Sequence, residues 1–258
     1  MEVHHHSHTP RKKWTHYFWE FFMLFLAVTL GFFVENQREH YIEGQREKKY
    51  MRNLLHDLAR DTVNYNLSIA LRLQRERQAR QLITMFYSPD RDKHLADLYY
   101  FARQMPRMNT VFYSTDATMN QLNNSGALRL IKKTEVADSI VAYNAAMEAY
   151  SENRRTEIET RIAFRNSVGN VFDASVLLTM IDSTGDDIDR TVMLPALVKP
   201  LITEDQQTIN HLCTLVHFLY SQSIITRKSL LKYKEQACRL IALLKNEYHL
   251  SEGTSSEK

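Results

Sequence analysis

Glu20 is the first residue in this sequence whose setting suggests chemistry. It is the one ionisable group beside a long apolar run, and Phe21 to Val34 (FFMLFLAVTLGFFV) follow it without a single charge. A carboxylate held in lipid is costly, and one that is kept there commonly carries a proton or pairs with a partner. The same acid one turn inside the end of a span can instead reach water, or the basic cluster Arg11, Lys12 and Lys13. Farther along the run, Ala27 and Gly31 form a small-xxx-small step on which a second helix can pack.

Other constellations are weaker. Helix-borne di-iron sites need Glu-x-x-His pairs, and none of His40, His56, His94, His211, His217 or His249 has a Glu three residues before it. The sequence has no HExxH, no Walker-type loop and no Gly-x-Ser-x-Gly elbow. Asp182 to Asp189 (DSTGDDID) resembles a calcium loop only superficially, because its Gly is misplaced and no Glu stands at the twelfth position. It reads as a solvated acidic loop. His4, His5, His6 and His8 read as a terminal tail. Cys213 and Cys238 lie 25 residues apart, about 37 Å along a helix, which is far beyond disulfide reach. They read as two small core residues on nearly one face, with an intersubunit disulfide as the alternative. The expectation is therefore no catalytic residue, no metal and no cofactor.

The elements that must position these residues are helices. Gly (6) and Pro (5) are scarce among 258 residues, too scarce for a sandwich, a barrel or a glycine-looped nucleotide fold. The apolar fraction of 44% suits a folded core. Thirty-three basic and 30 acidic residues nearly balance, so nothing points to nucleic acid.

Tyr17, Phe18 and Trp19 extend the apolar run to 18 residues broken only by Glu20, about 27 Å of helix against a hydrocarbon layer of about 30 Å. Trp14, Tyr17 and Trp19 supply interfacial aromatics. No small-x-small cleavage site ends the run, so the expectation is an uncleaved signal anchor over 14–34 after a basic, His-rich tail over 1–13. Arg38, Arg46, Lys48, Lys49 and Arg52 outnumber the three basic residues before the span. A literal count therefore favours the carboxyl side inside, while the compact amino-terminal cluster argues the reverse.

Beyond the span, residues 35–87 read as a long stalk helix of the bundle or coiled-coil kind. It has apolar steps at Met51, Leu55, Leu58, Tyr65, Ile69, Leu73, Leu82 and Phe86. Ser88-Pro89-Asp90 starts a short helix that ends at Gln104. Ser114 or Thr115 caps a helix over Ala117 to Asn123, with Gly126 left-handed after it. Thr134 caps a helix running to about Ser167, striped by Val136, Ile140, Tyr143, Met147, Tyr150, Ile158 and Ile162. Val171 to Ile181 form a short helix. Thr203, in a capping box with Gln206, opens the last helix, with Ile209, Leu212, Val216, Leu219, Ile224, Leu231, Leu240, Leu244 and Tyr248 along it. The fold expectation is all-α: one amino-terminal transmembrane helix continues into the stalk, and residues 88–250 form an elongated antiparallel bundle packed on it. Residues 251–258 read as a polar tail.

Two stretches resemble a known pattern. The first is Glu20, the apolar run, Glu35-Asn36-Gln37-Arg38-Glu39 and the Leu54, Leu55, Leu58 stripe. The second runs from Tyr113-Ser114-Thr115 through Gln121-Leu122-Asn123-Asn124-Ser125-Gly126-Ala127-Leu128-Arg129-Leu130-Ile131 to Ile140 and Tyr143. Together, over roughly 15–150, they resemble an uncharacterised bacterial family of single-pass inner-membrane proteins, a domain of unknown function with a central LxxSGxLxxI segment. The resemblance implies a cytoplasmic amino terminus and a periplasmic bundle, and it implies no activity.

The functional expectation is a non-enzymatic scaffold or accessory subunit. It would meet the lipid bilayer, and either copies of itself or another membrane protein, through the span and stalk. Two alternatives stand beside it. One is a ligand-binding, sensor-like bundle lined by Tyr143, Tyr150, Arg154 and Arg155. The other is an ion-coupled, stator-like subunit using Glu20. Asn123, Asn124 and Arg129 form a packing corner, with binding as their alternative role.

Overall fold

The computed structural model describes residues 14–107, 110–182 and 192–250. The basic cluster Arg11, Lys12 and Lys13, the amino-terminal histidines, nearly all of the acidic loop and the tail from Ser251 lie outside them. The described residues form α1 (Trp14–Phe86), α2 (Leu95–Gln104), α3 (Ala117–Asn124), α4 (Thr134–Val168), α5 (Ala174–Thr179) and α6 (Gln206–Tyr248). Short 3-10 turns cover Arg91–His94 and Ala127–Leu130. Extended pairing among the described residues is confined to an isolated antiparallel bridge between Ile181 and Val192. The all-α expectation holds.

The chain divides into two compact units, Met1–Tyr50 and Met51–Lys258. In the first, the described residues are helical throughout. Every side chain from Trp14 to Val34 is exposed except the half-buried Leu26. A core helix of a soluble domain buries its apolar face, and this run does not. Among the described residues, one helix is long and apolar enough to cross a membrane. After the apolar run, Arg38 pairs with Glu35 at 2.9 Å and His40 lies 3.6 Å from Glu43.

The second unit is a three-helix bundle of residues 51–86 of α1 with α4 and α6. Pairings fix the directions. Tyr65 meets Tyr143 at 3.1 Å and Arg72 meets Glu157 at 3.0 Å, so α1 and α4 run the same way. Glu76 meets Arg227 at 2.7 Å and Arg80 meets Tyr220 at 2.8 Å, so α6 runs antiparallel to α1. Lys133 meets Glu247 at 2.7 Å, which sets α6 antiparallel to α4. The expected antiparallel packing thus describes α6. The parallel α1–α4 pair needs a return crossover, which the segment between them supplies.

Apolar packing concentrates where α1 ends and α6 begins. Leu82, Phe86, Leu98, Tyr99, Phe164, Phe172, Leu212 and Val216 share one cluster. Phe172 meets Tyr99 edge-on at 4.9 Å and Phe86 at 6.0 Å. Each such buried side chain contributes about 1.5–3 kcal/mol.

Several helix starts differ from expectation. Leu95 opens α2 after a 3-10 turn, and Ser88 Oγ accepts from the Asp90 N–H at 3.2 Å instead of capping a helix. Thr134 is the first residue of α4 with no side-chain cap. The α5 helix begins at Ala174, because Asp173 accepts from the Ser175 N–H at 2.7 Å and fixes the start three residues late. Asp205, not Thr203, caps α6 by accepting from the Thr208 N–H at 2.9 Å. A carboxylate accepts more strongly than a hydroxyl at a helix start, where the dipole favours a negative charge. Gly126 is left-handed as expected, at φ 66.

Candidate functional site

The buried face of α1 is not the apolar stripe that its sequence suggests. Ile69 and Leu73 stand beside the core, and Leu73 is exposed. The inward positions after Leu58 are Asp61, Tyr65, Ser68, Arg72, Arg75 and Ala79, spaced three and four apart. Four of these six are polar, and apolar periodicity passes over them. The readable signal was polar residues recurring at helical spacing in register with Met51, Leu55 and Leu58. On α4 and α6 the same neglect exposes Ile162 and Leu231, while Glu157 and Leu230 point inward.

These polar groups form a continuous internal spine. Tyr143 Oη donates to Asp61 Oδ2 at 2.9 Å and lies 3.1 Å from Tyr65 Oη, which also donates to Met147 Sδ at 3.3 Å. The Tyr65 ring stacks on Phe112 at 4.0 Å, and Tyr150 meets Phe112 edge-on at 5.9 Å. Beyond them Arg72 and Arg75 both pair with Glu157, whose Oε1 also accepts from Thr110 Oγ1 at 3.3 Å. Burial raises the proton affinity of Asp61, Tyr65, Tyr143 and Tyr150. Burial pushes Glu157 up as well, but the two guanidiniums prevail and hold its carboxyl below the usual range. Two buried cations against one buried anion is a costly arrangement that rests on the Glu157 carboxylate being shared.

The crossover from 110 to 116 has no regular secondary structure and lies along α1 as a strap. Its backbone groups find side chains. The Thr118 N–H donates to Asp57 Oδ2 at 3.1 Å and the Thr115 N–H to Asp61 Oδ1 at 2.6 Å. Asn64 Nδ2 donates to the Tyr113 carbonyl at 3.2 Å, and Ser68 Oγ to that of Val111 at 3.4 Å. The Phe112 N–H donates to Tyr150 Oη at 2.8 Å. Asp57, Asp61, Asn64 and Ser68 are one face of α1, read in reverse order along the strap. The expected caps of α3, Ser114 and Thr115, are therefore replaced by Asp57 of another helix. Asp116, the local cap residue, makes no capping bond.

The residues expected from sequence are placed as follows. Glu20, Ala27 and Gly31 are exposed on the amino-terminal helix, and a Cβ added at Gly31 would meet nothing within 4 Å. Tyr143 and Tyr150 are core residues engaged in the spine, Arg154 lies over the Tyr113 ring at 5.1 Å, and Arg155 is exposed. They do not line one pocket. The cavity at Tyr143, bordered by Asp57, Asp61, Asp116 and Asn144, holds about 30 Å³, room for a water molecule or two and not for an organic ligand. Asn123, Asn124 and Arg129 are exposed at the turn after α3. Cys213 is buried and Cys238 exposed, both free, so only one of the pair is a core residue. Burial pushes the Cys213 thiol up to about 11.

Larger hollows are open surface grooves. One of about 330 Å³ runs between α1 and α6 past His56, Lys234 and Cys238. Among the described residues no three His, Cys, Asp or Glu side chains gather as a metal site. No protein-family model, curated protein or solved structure matches the chain.

Proposed function

We propose that this chain is a single-pass membrane protein whose 14–34 helix lies in lipid and whose remaining helices form a non-catalytic interaction module, a scaffold or accessory subunit. The observation that carries this reading is the exposure of the whole apolar run. Soluble proteins rarely leave a contiguous apolar patch of more than a few hundred Å² in water, whereas in hydrocarbon such a surface is at rest. The interior of the bundle supports the second half. Among the described residues its polar groups bond one another, and the cavity that Tyr143 and Asp61 border holds only about 30 Å³.

The family resemblance adds an address to this proposal: the bacterial inner membrane, with the amino terminus in the cytoplasm and the bundle in the periplasm. Contacts with a second copy or with another membrane protein would run through the span, where Ala27 and Gly31 permit close approach, and through the polar helix after it. The test is fractionation of the full chain from cells. Under this reading the protein sediments with membranes, resists alkaline carbonate and is released by detergent. Recovery in the soluble fraction would reject it.

A further inference from the structure

We infer that docking of the 110–116 strap on α1 is linked to a proton on Asp61: the docked strap holds that proton and the released strap gives it up. The geometry comes first. Asp61 is almost wholly buried beneath the strap, 1% exposed. Among the described residues it has no cationic partner. Every titratable group facing it is acidic or phenolic. Asp57 and Tyr65 stand on α1, Asp116 on the strap and Tyr143 on α4, and Tyr233 of α6 acts on Tyr65. Asn144 and Met147 complete the α4 side of the small cavity and carry no charge.

The hydrogen-bond chain accommodates both charge states without moving a heavy atom. With Asp61 ionised, Tyr143 donates to the carboxylate and Tyr65 donates onward to Tyr143 or Met147. With Asp61 protonated, Oδ2 donates to Tyr143, Tyr143 to Tyr65 and Tyr65 to Met147 Sδ. The reversal is open because either hydroxyl can be the donor between Tyr65 and Tyr143. Oδ1 keeps accepting from the Thr115 N–H in both states.

The sign follows from burial. Covering Asp61 raises its proton affinity above the ordinary aspartate value of 3.8, and the charge of Asp57 adds to the effect. Lifting the strap returns Asp61 to water. Between the two values the docked state binds more protons, so acidification across that window tightens the strap and alkalinisation loosens it. This inference does not depend on the membrane reading.

The experiment is hydrogen exchange of the full chain in detergent micelles at pH 7.5 and pH 4.0, corrected for intrinsic exchange rates and read by mass spectrometry. Peptides spanning 110–124 gain protection on acidification, by at most about tenfold per pH unit for one proton. Core peptides of α6 report whether the bundle itself has changed. In Asp61→Asn the response disappears, and in Asp57→Asn it persists. Equal protection at both pH values, looser exchange at the lower pH, or an unaltered response in Asp61→Asn would overturn the inference. If Asp61→Asn does not fold, the wild-type comparison decides alone.

Discussion

Arg72 Nη2 lies 3.0 Å from Glu157 Oε2, and both side chains are shut off from solvent. Arg75 closes on the other oxygen of the same carboxylate. Glu157 therefore holds two guanidiniums in the interior of the bundle and anchors Thr110 at the start of the strap. The fold is organised around this pairing, since it joins α1 to α4 across 85 residues of sequence and fixes their parallel direction.

Glu157→Ala removes the carboxylate that Arg72 and Arg75 share in the interior of the bundle. The expected loss is about 3–5 kcal/mol, read as a lower midpoint in chemical unfolding of the detergent-solubilised chain. Replacing all three groups by apolar residues of similar volume is expected to cost much less, or nothing. Equal losses in the single and the triple variant would contradict the account.

Tyr143→Phe removes the hydroxyl between Asp61 and Tyr65 and keeps the ring. A cost of about 1–3 kcal/mol is expected, from the same unfolding measurement. Tyr113→Phe, at an exposed side chain, should stay within about 0.5 kcal/mol.

Adjacent leucines on α6 provide a test of register. Leu230 is fully buried and Leu231 is half in solvent. Leu230→Ala should cost about 2–5 kcal/mol, and Leu231→Ala well under that. The reverse order would restore the face that apolar spacing alone suggests.

This pair also shows what the sequence reveals and where it stops. Helix number, most boundaries within a few residues (the start of α2, at Leu95 instead of after Ser88, is the exception) and the apolar run were legible, because 3.6-residue periodicity and Pro or Gly punctuation act locally. The polar spine was not. Asp61, Arg72, Arg75 and Glu157 look like solvated charges until partners up to 85 residues away bond to them, and periodicity weighs them as surface. The capping of α3 was missed for the same reason. Asp57 precedes the helix it caps by some 60 residues, whereas a sequence reading of caps searches only nearby positions.

Asp173 supplies an acid-side prediction. The Ser175 hydroxyl, Lys199 and the Ser175 N–H hold its carboxyl down at about 2, against an ordinary 3.8. A lowered folded value means that its contribution is complete above pH 3.8 and is lost as pH falls through about 2. Asp173→Ala should therefore lower the melting temperature at pH 5, with the gap to wild type closing near pH 2. A gap of constant size would refute this.

The two thiols should separate by reactivity. A soluble thiol reagent is expected to modify one thiol per native chain, at Cys238, and two in denaturant. Cys213 is protected by burial and by its high proton affinity. Two fast-reacting thiols in the native chain would contradict the packing of α6 beneath Tyr87.

The central claim concerns where the amino-terminal helix resides. Single cysteines at Leu24, Leu30, Gln37 and Gln45, in a chain otherwise free of cysteine, can be probed in native membranes with a water-soluble maleimide. The account predicts that Leu24→Cys and Leu30→Cys stay unlabelled until detergent dissolves the bilayer, while Gln45→Cys labels readily. Labelling of Leu24→Cys and Leu30→Cys as fast as Gln45→Cys would place the helix in water and contradict it.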